Sequence, residues 1–126
     1  MRNVVYDAGA LIAAEKNQRR FWAEHRARLE MGVVPGVSAT VVAQVSRSPR
    51  QVQLARLLRG CDVVPLDEER AHAAGTLLAK SRTRDIVDAA VVELASERDA
   101  DIVTSDRVDI EHLVTCARAK LIVVDP

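Results

Sequence analysis

Aromatic side chains are nearly missing from this 126-residue chain: Tyr6, Phe21 and Trp22 are all it has. The core must therefore be built from Val, Leu, Ile and Ala, which a 48% hydrophobic content allows. Cysteine is scarce too. Cys61 and Cys116 lie far apart and form no CxxC, which excludes a disulfide scaffold and a zinc ribbon and predicts two buried thiols in a cytoplasmic chain. No apolar stretch approaches the roughly 20 residues of a bilayer span, and the longest, Ala8 to Ala14, falls far short. Met1-Arg2-Asn3-Val4 has no signal-peptide pattern. No Walker loop, GxGxxG or GxSxG occurs, so nucleotide-cradling and serine-hydrolase readings have no support. Net charge is absent as well, with 18 Lys and Arg against 18 Asp and Glu. Taken alone, that balance argues against a nucleic-acid binder.

The balance hides a gradient. Residues 1–60 carry ten basic and four acidic side chains, a net +6, while residues 85–126 carry four basic and ten acidic ones, a net −6. Such asymmetry says more than a total. Arg47, Arg50, Arg56 and Arg59 form a stretch without an acid, and Lys80, Arg82 and Arg84 form another. Solvated helix faces explain either cluster alone; basic ground beside an acidic pocket explains both.

No repeat, low-complexity tract or linker interrupts the chain, so a single domain over 1–126 is expected. Asn3–Tyr6 reads as a buried strand, followed by helices over Ala8–Lys16 and Gln18–Met31. Gly32–Val37 is a short strand or loop, and Ser38 caps a helix over Ala39–Arg47. Ser48-Pro49 marks another helix start, with proline at the first helical position, and Gly60 ends that helix. Asp62–Leu66 reads as a strand. Asp67 caps a helix with Ala71, Ala74, Gly75 and Leu78 inward. Asp85–Arg98 is a helix with Val87, Ala90, Val91 and Leu94 inward. Asp101–Thr104, Val108–Ala117 and Lys120–Val124 read as strand, helix and strand. Apolar strands alternating with helices predict an α/β fold with a parallel sheet covered on both faces. In such folds the functional crevice lies beyond the carboxyl ends of the strands.

Two aspartates stand at such ends. Asp7 follows Val4-Val5-Tyr6, and Asp106 follows Ile102-Val103-Thr104-Ser105. Asp85 and Asp88 open a helix three residues apart and share a face, and Asp109 stands three after Asp106. Each acid alone is explained by helix capping. Together, five carboxylates at one sheet end repel one another unless they are protonated or neutralised by a cation. Hard oxygen ligands of this kind select Mg²⁺ or Mn²⁺, whose usual work is phosphodiester hydrolysis. The Phe21-Trp22 pair reads either as helix packing or as an interface. His25, His72 and His112 share no metal-ligand spacing and read as surface residues.

Three segments carry a family resemblance: Val4-Val-Tyr-Asp7-Ala-Gly-Ala-Leu-Ile12, Asp85-Ile-Val-Asp88-Ala-Ala and Val103-Thr-Ser-Asp106-Arg-Val-Asp109. In order and spacing, over essentially the whole chain, they resemble the PIN domain, in particular the VapC-type toxins of bacterial toxin–antitoxin pairs. The resemblance implies a three-layer α/β/α sandwich around a parallel sheet of about five strands. It implies a Mg²⁺-dependent endoribonuclease, with Mn²⁺ as substitute, in which a metal-activated water leaves 5′-phosphate and 3′-hydroxyl ends. The family's catalytic metal ligands fall on Asp7, Asp88 and Asp106, with Asp109 and Asp85 as further metal ligands. Thr104 and Ser105 match the supporting hydroxyls. A cognate antitoxin and a homodimer are implied as partners, with RNA as substrate. Arg47, Arg50, Arg82, Arg84 and Arg107 are candidates for holding the RNA backbone. One position departs from the family. Gln44 stands where a glutamate is usual, so it supports the site without a charge. A weakened PIN domain that binds RNA or a partner without efficient cleavage is therefore an alternative. A flavodoxin-like phosphotransfer domain is another, although Gly9 occupies the place of the second acid that one such class needs.

Overall fold

The computed structural model describes residues 2–126. Its strands are β1 (Val4–Tyr6), β2 (Gly36–Ser38), β3 (Asp62–Val64), β4 (Asp101–Val103) and β5 (Val123–Val124). The helices are α1 (Ala8–Glu15), α2 (Arg19–Glu30), α3 (Ala39–Val45), α4 (Val52–Arg59), α5 (Glu68–Ser81), α6 (Ile86–Arg98) and α7 (Arg107–Ala117). The strands form one sheet in the order β3-β2-β1-β4-β5, every pairing parallel. Parallel neighbours need crossover helices, and right-handed crossovers put α1–α4 on one face and α5–α7 on the other. The result is the expected three-layer α/β/α sandwich.

Burial explains the strand composition. Val5, Tyr6, Val37, Ile102 and Val103 are fully enclosed, because both sheet faces are covered. The few aromatics gather in one place. Tyr6, Phe21, Trp22 and His25 pack with ring centroids 5.4–6.3 Å apart between β1 and α2. His25 is thereby buried, not on the surface as its polar helix suggested. Its Nδ1 accepts from the Tyr6 hydroxyl at 2.8 Å, and Arg28 donates to the same oxygen at 3.1 Å. Desolvation, with Arg28 and Arg56 nearby, pushes the imidazole down to about 4, so it stays neutral. His72 and His112 are exposed as expected.

Several boundaries differ from the sequence reading for local reasons. Pro49 lies in a turn, and α4 starts at Val52. The Gln51 side chain holds that turn by accepting from the Arg47 and Ser48 amides. The N-terminus of α4 is instead satisfied from α1, where Glu15 accepts from the Leu54 amide at 2.9 Å. α3 stops at Val45, where the Arg47 guanidinium donates to the Ala43 and Ser46 carbonyls. α5 buries Ala74, Leu77 and Ser81, while Ala71 and Gly75 are exposed, so its inner stripe is turned about one residue from the expected one. Cys61 and Cys116 are only partly buried and unpaired.

Strand order reverses between β1 and β4: the chain leaves β1 toward β2 and leaves β4 toward β5, on opposite faces. That switch point opens a crevice at the carboxyl ends of these two strands. The register Val4↔Asp101, Val5↔Ile102, Tyr6↔Val103 places Asp7 beside Thr104 at its mouth.

Candidate metal centre

Asp7 continues β1 by one residue, its amide bonding the Val103 carbonyl at 2.9 Å. It also caps α1. One carboxylate oxygen accepts from the Ala8 amide at 2.7 Å and the other from the Thr104 hydroxyl at 2.6 Å. The Thr104 oxygen in turn accepts from the Asp106 amide at 2.9 Å. One buried hydroxyl thus fixes the acid after β1 relative to the backbone of the acid after β4. Ser105 presses on α1 from the other side. A Cβ at Gly9 would meet the Ser105 hydroxyl, with the Ser105 amide nitrogen 2.8 Å away, so only glycine lets the two turns approach.

The third acid comes from α6. Asp85 caps that helix by accepting from the Asp88 amide at 3.1 Å, so the capping explanation for Asp85 holds. Asp88 lies one turn in and is 7% exposed. Its carboxylate approaches Asp106 and Asp109 so closely that one oxygen from each of the three falls within 4.8 Å of the others. Asp7 and Asp85 stand around this trio near enough for their charges to act on Asp88. Burial first, then Asp85, Asp7, Asp106 and Asp109, pushes the Asp88 carboxyl up to about 7. Asp106 is also raised, by desolvation and by the charges of Asp109 and Asp7, against a hydrogen bond with Asp88 that lowers it.

Among the described residues none of the five aspartates forms an ion pair, whereas acids elsewhere do, as in Arg98–Asp62 at 2.6 Å and Arg2–Asp101 at 3.0 Å. Arg107, between Asp106 and Asp109 in sequence, turns away to Glu111 and the Val123 carbonyl, both at 3.0 Å, and to Asp125 at 3.4 Å. The donor set suits a hard divalent ion. Oxygens on opposite sides of a Mg²⁺ stand about 4.2 Å apart, twice its ligand distance. One oxygen from each of the trio lies within 4.8 Å of the others, not far outside that span.

The other sequence candidates are placed less closely. Gln44 is exposed in the last turn of α3, without a side-chain hydrogen bond among the described residues. Arg47 is spent on carbonyls of its own turn. Arg50 and Arg82 are exposed, Arg82 in the left-handed conformation that ends α5. Arg84 lines a 160 Å³ cavity next to the acids, with Asp85, Asp88 and Asp109. The sequence reading missed three residues of that cavity, Thr83, His112 and Leu113. The last two had a signal: they follow Asp109 by three and four positions, on the same helix face.

The PIN domain family model matches residues 4–114. The chain belongs to the PIN domain family. The match spans the five clustered aspartates, from β1 into α7. No curated protein sequence matches the chain. Among solved structures, this PIN domain is similar to a chain of VapBC2 from Rickettsia felis, bound to a fragment of promoter DNA, at 15% identity and a TM-score of 0.69 over 98% of both chains. It is similar to a chain of DNA-bound VapBC from Salmonella typhimurium at 18% identity and a TM-score of 0.69, over 99% of this chain and 98% of that one. A chain of a toxin–antitoxin complex from Klebsiella pneumoniae matches at 17% identity and a TM-score of 0.65, over 85% of this chain and 89% of that one. At such identities the likeness establishes the fold, including the five-stranded parallel sheet.

Proposed function

We propose that this PIN domain is a metal-dependent endoribonuclease, the toxin of a toxin–antitoxin pair, acting in the cytoplasm and held inactive by a cognate antitoxin. The observation that carries the nuclease reading is the unpaired acid trio Asp88, Asp106 and Asp109 beside Asp7, at the switch point of a PIN sheet. Carboxylates that repel one another this strongly, with Arg107 turned to Glu111 and Asp125 instead, are arranged for a divalent ion. When bound, Mg²⁺ or Mn²⁺ supplies Lewis acidity toward a phosphodiester and activates water at neutral pH. Asp88, Asp106 and Asp109, with Asp7 beside them, would hold the ion, and Asp85 would add negative charge next to it. Thr104 keeps Asp7 and the Asp106 turn in place, and Ser105 sets the spacing of that turn from α1. Arg84 stands nearest to a bound phosphate, and Arg47, Arg50 and Arg82 offer weaker backbone contacts. Support for the toxin reading comes from the solved relatives, which include VapBC and toxin–antitoxin complexes. A homodimer belongs to the same reading.

Gln44 keeps one second reading alive. A neutral amide at this place on α3 suits a PIN domain that binds RNA but cuts it poorly. One assay separates the two: degradation of single-stranded RNA with Mn²⁺ and with EDTA, for the wild type, Asp7→Asn and Gln44→Glu. Mn²⁺-dependent cleavage lost in Asp7→Asn supports the enzyme. Full activity in Asp7→Asn overturns this site. A weak wild type rescued by Gln44→Glu favours the second reading.

A further inference from the structure

Resting on the nuclease reading above, we propose that the cavity between the α5–α6 loop and α7 receives the base of the nucleotide whose phosphate lies at the acid cluster, with His112 as a specificity-determining residue. The cavity has 160 Å³ and shares Asp88 and Asp109 with the metal-binding trio. A group seated there is within one nucleotide of a phosphate at the acids. A space of about 150 Å³ takes a single benzene ring, so this one has room for one base.

Its walls differ from those of a plain anion site. Leu113 is buried and gives an apolar floor. His112 adds an imidazole whose orientation is fixed, because Nε2 bonds the Ser81 carbonyl at 3.0 Å. That bond makes Nε2 the donor and leaves Nδ1 without a partner among the described residues. Thr83 is held at the rim by a 2.7 Å hydrogen bond with Ser81. Among the described residues no carboxylate lies within ion-pair distance of Arg84, which is available to the phosphate. A bare phosphate has use for Arg84 but none for the apolar wall of Leu113; a base uses that wall with its ring face and can hydrogen-bond the fixed imidazole with its edge. Asp109, His112 and Leu113 lie on one face of α7, so base and phosphate are registered by a single rigid element.

The test is an NMR titration of the full chain in Mg²⁺ with cytidine 5′-monophosphate, adenosine 5′-monophosphate and inorganic phosphate. All three should shift signals around Asp88 and Arg84, and the nucleotides alone should also shift His112 and Leu113. His112→Ala, with its remaining spectrum checking the fold, should weaken nucleotide binding about tenfold and leave phosphate binding unchanged. Identical shifts from nucleotides and phosphate, or unaltered nucleotide affinity in His112→Ala, overturn the subsite. RNA cleavage on the same samples separates the two readings. Cleavage without nucleotide-specific shifts removes the subsite and keeps the nuclease. Nucleotide-specific shifts without cleavage keep the subsite and remove the nuclease.

Discussion

Replacing Asp88 by Asn should stabilise the metal-free protein, and the size of the gain should depend on pH. The Asp88 carboxyl is raised from 3.8 to about 7 by burial and four neighbouring aspartates. A raised carboxyl means that the folded state binds the proton more tightly. The stability this provides is complete below pH 3.8, is lost as pH rises through about 7, and stays lost above that. Three units at 1.36 kcal/mol each set a ceiling of about 4 kcal/mol on the cost of the charge at pH 8. Neighbouring acids share the protonation and water relaxes the site, so a gain of about 2 kcal/mol is expected for Asp88→Asn. Unfolding entropy near 2.1 cal/mol/K per residue converts this to a rise in Tm of about 8 °C. At pH 4, where the folded-state carboxyl is protonated and the unfolded one is only partly ionised, the gain should fall below about 1 kcal/mol. Urea or thermal unfolding in EDTA at the two pH values measures both numbers. Saturating Mn²⁺ should reverse the order, because an ion at a hundred times its Kd adds about 2.7 kcal/mol to a protein that binds it, and Asp88→Asn has lost a ligand. A variant no more stable than wild type at pH 8 in EDTA, or one with an equal gain at both pH values, refutes the electrostatic account of the site.

Thr104→Val leaves the Asp106 amide and one Asp7 oxygen without their shared partner; a loss of about 1–3 kcal/mol is expected by denaturant unfolding, with Thr104→Ser close to wild type. Glu15→Ala removes the carboxylate that caps α4 and should cost about 1 kcal/mol, read as faster hydrogen exchange at Leu54. His25 has the opposite pH signature to Asp88. Its pKa is lowered from 6.5 to about 4, so its contribution is present above pH 6.5 and is lost as pH falls toward 4. In the Asp88→Asn background unfolding free energy should drop by up to about 3 kcal/mol over that range.

Legibility in the sequence followed contrast. Asp7 and Asp106 stood out because each ends a short Val/Ile run, and the strand positions followed from the same runs. Asp88 and Asp109 were found because helical spacing carries an acid back to the same face. The inner face of α5 was misread because alanine lies on every side of it, at Ala71, Ala73, Ala74 and Ala79, and gives no direction. His25 was misread because its partner, the Tyr6 hydroxyl, is nineteen residues away in sequence and nothing local announces it. The start of α4 failed for the same reason. Ser48-Pro49 is a valid local start signal, but Gln51 closes a turn over it and the cap arrives from Glu15.

The zero net charge is a matter of arrangement. At the amino ends of the strands opposite charges meet, with Arg2 on Asp101 and Arg98 on Asp62, and they cancel locally. At the carboxyl ends they do not. Among the described residues five aspartates stand there without an ion pair, as do Arg84 at the edge of their cavity and Arg47, Arg50 and Arg82. A neutral total so divided gives a surface with two strong local fields and no reason to be inert toward a polyanion. On the proposed reading, divalent ions cancel the negative field and leave the positive one unopposed. RNA affinity should therefore rise with metal and fall steeply with salt, the reverse of what a uniformly neutral surface would give.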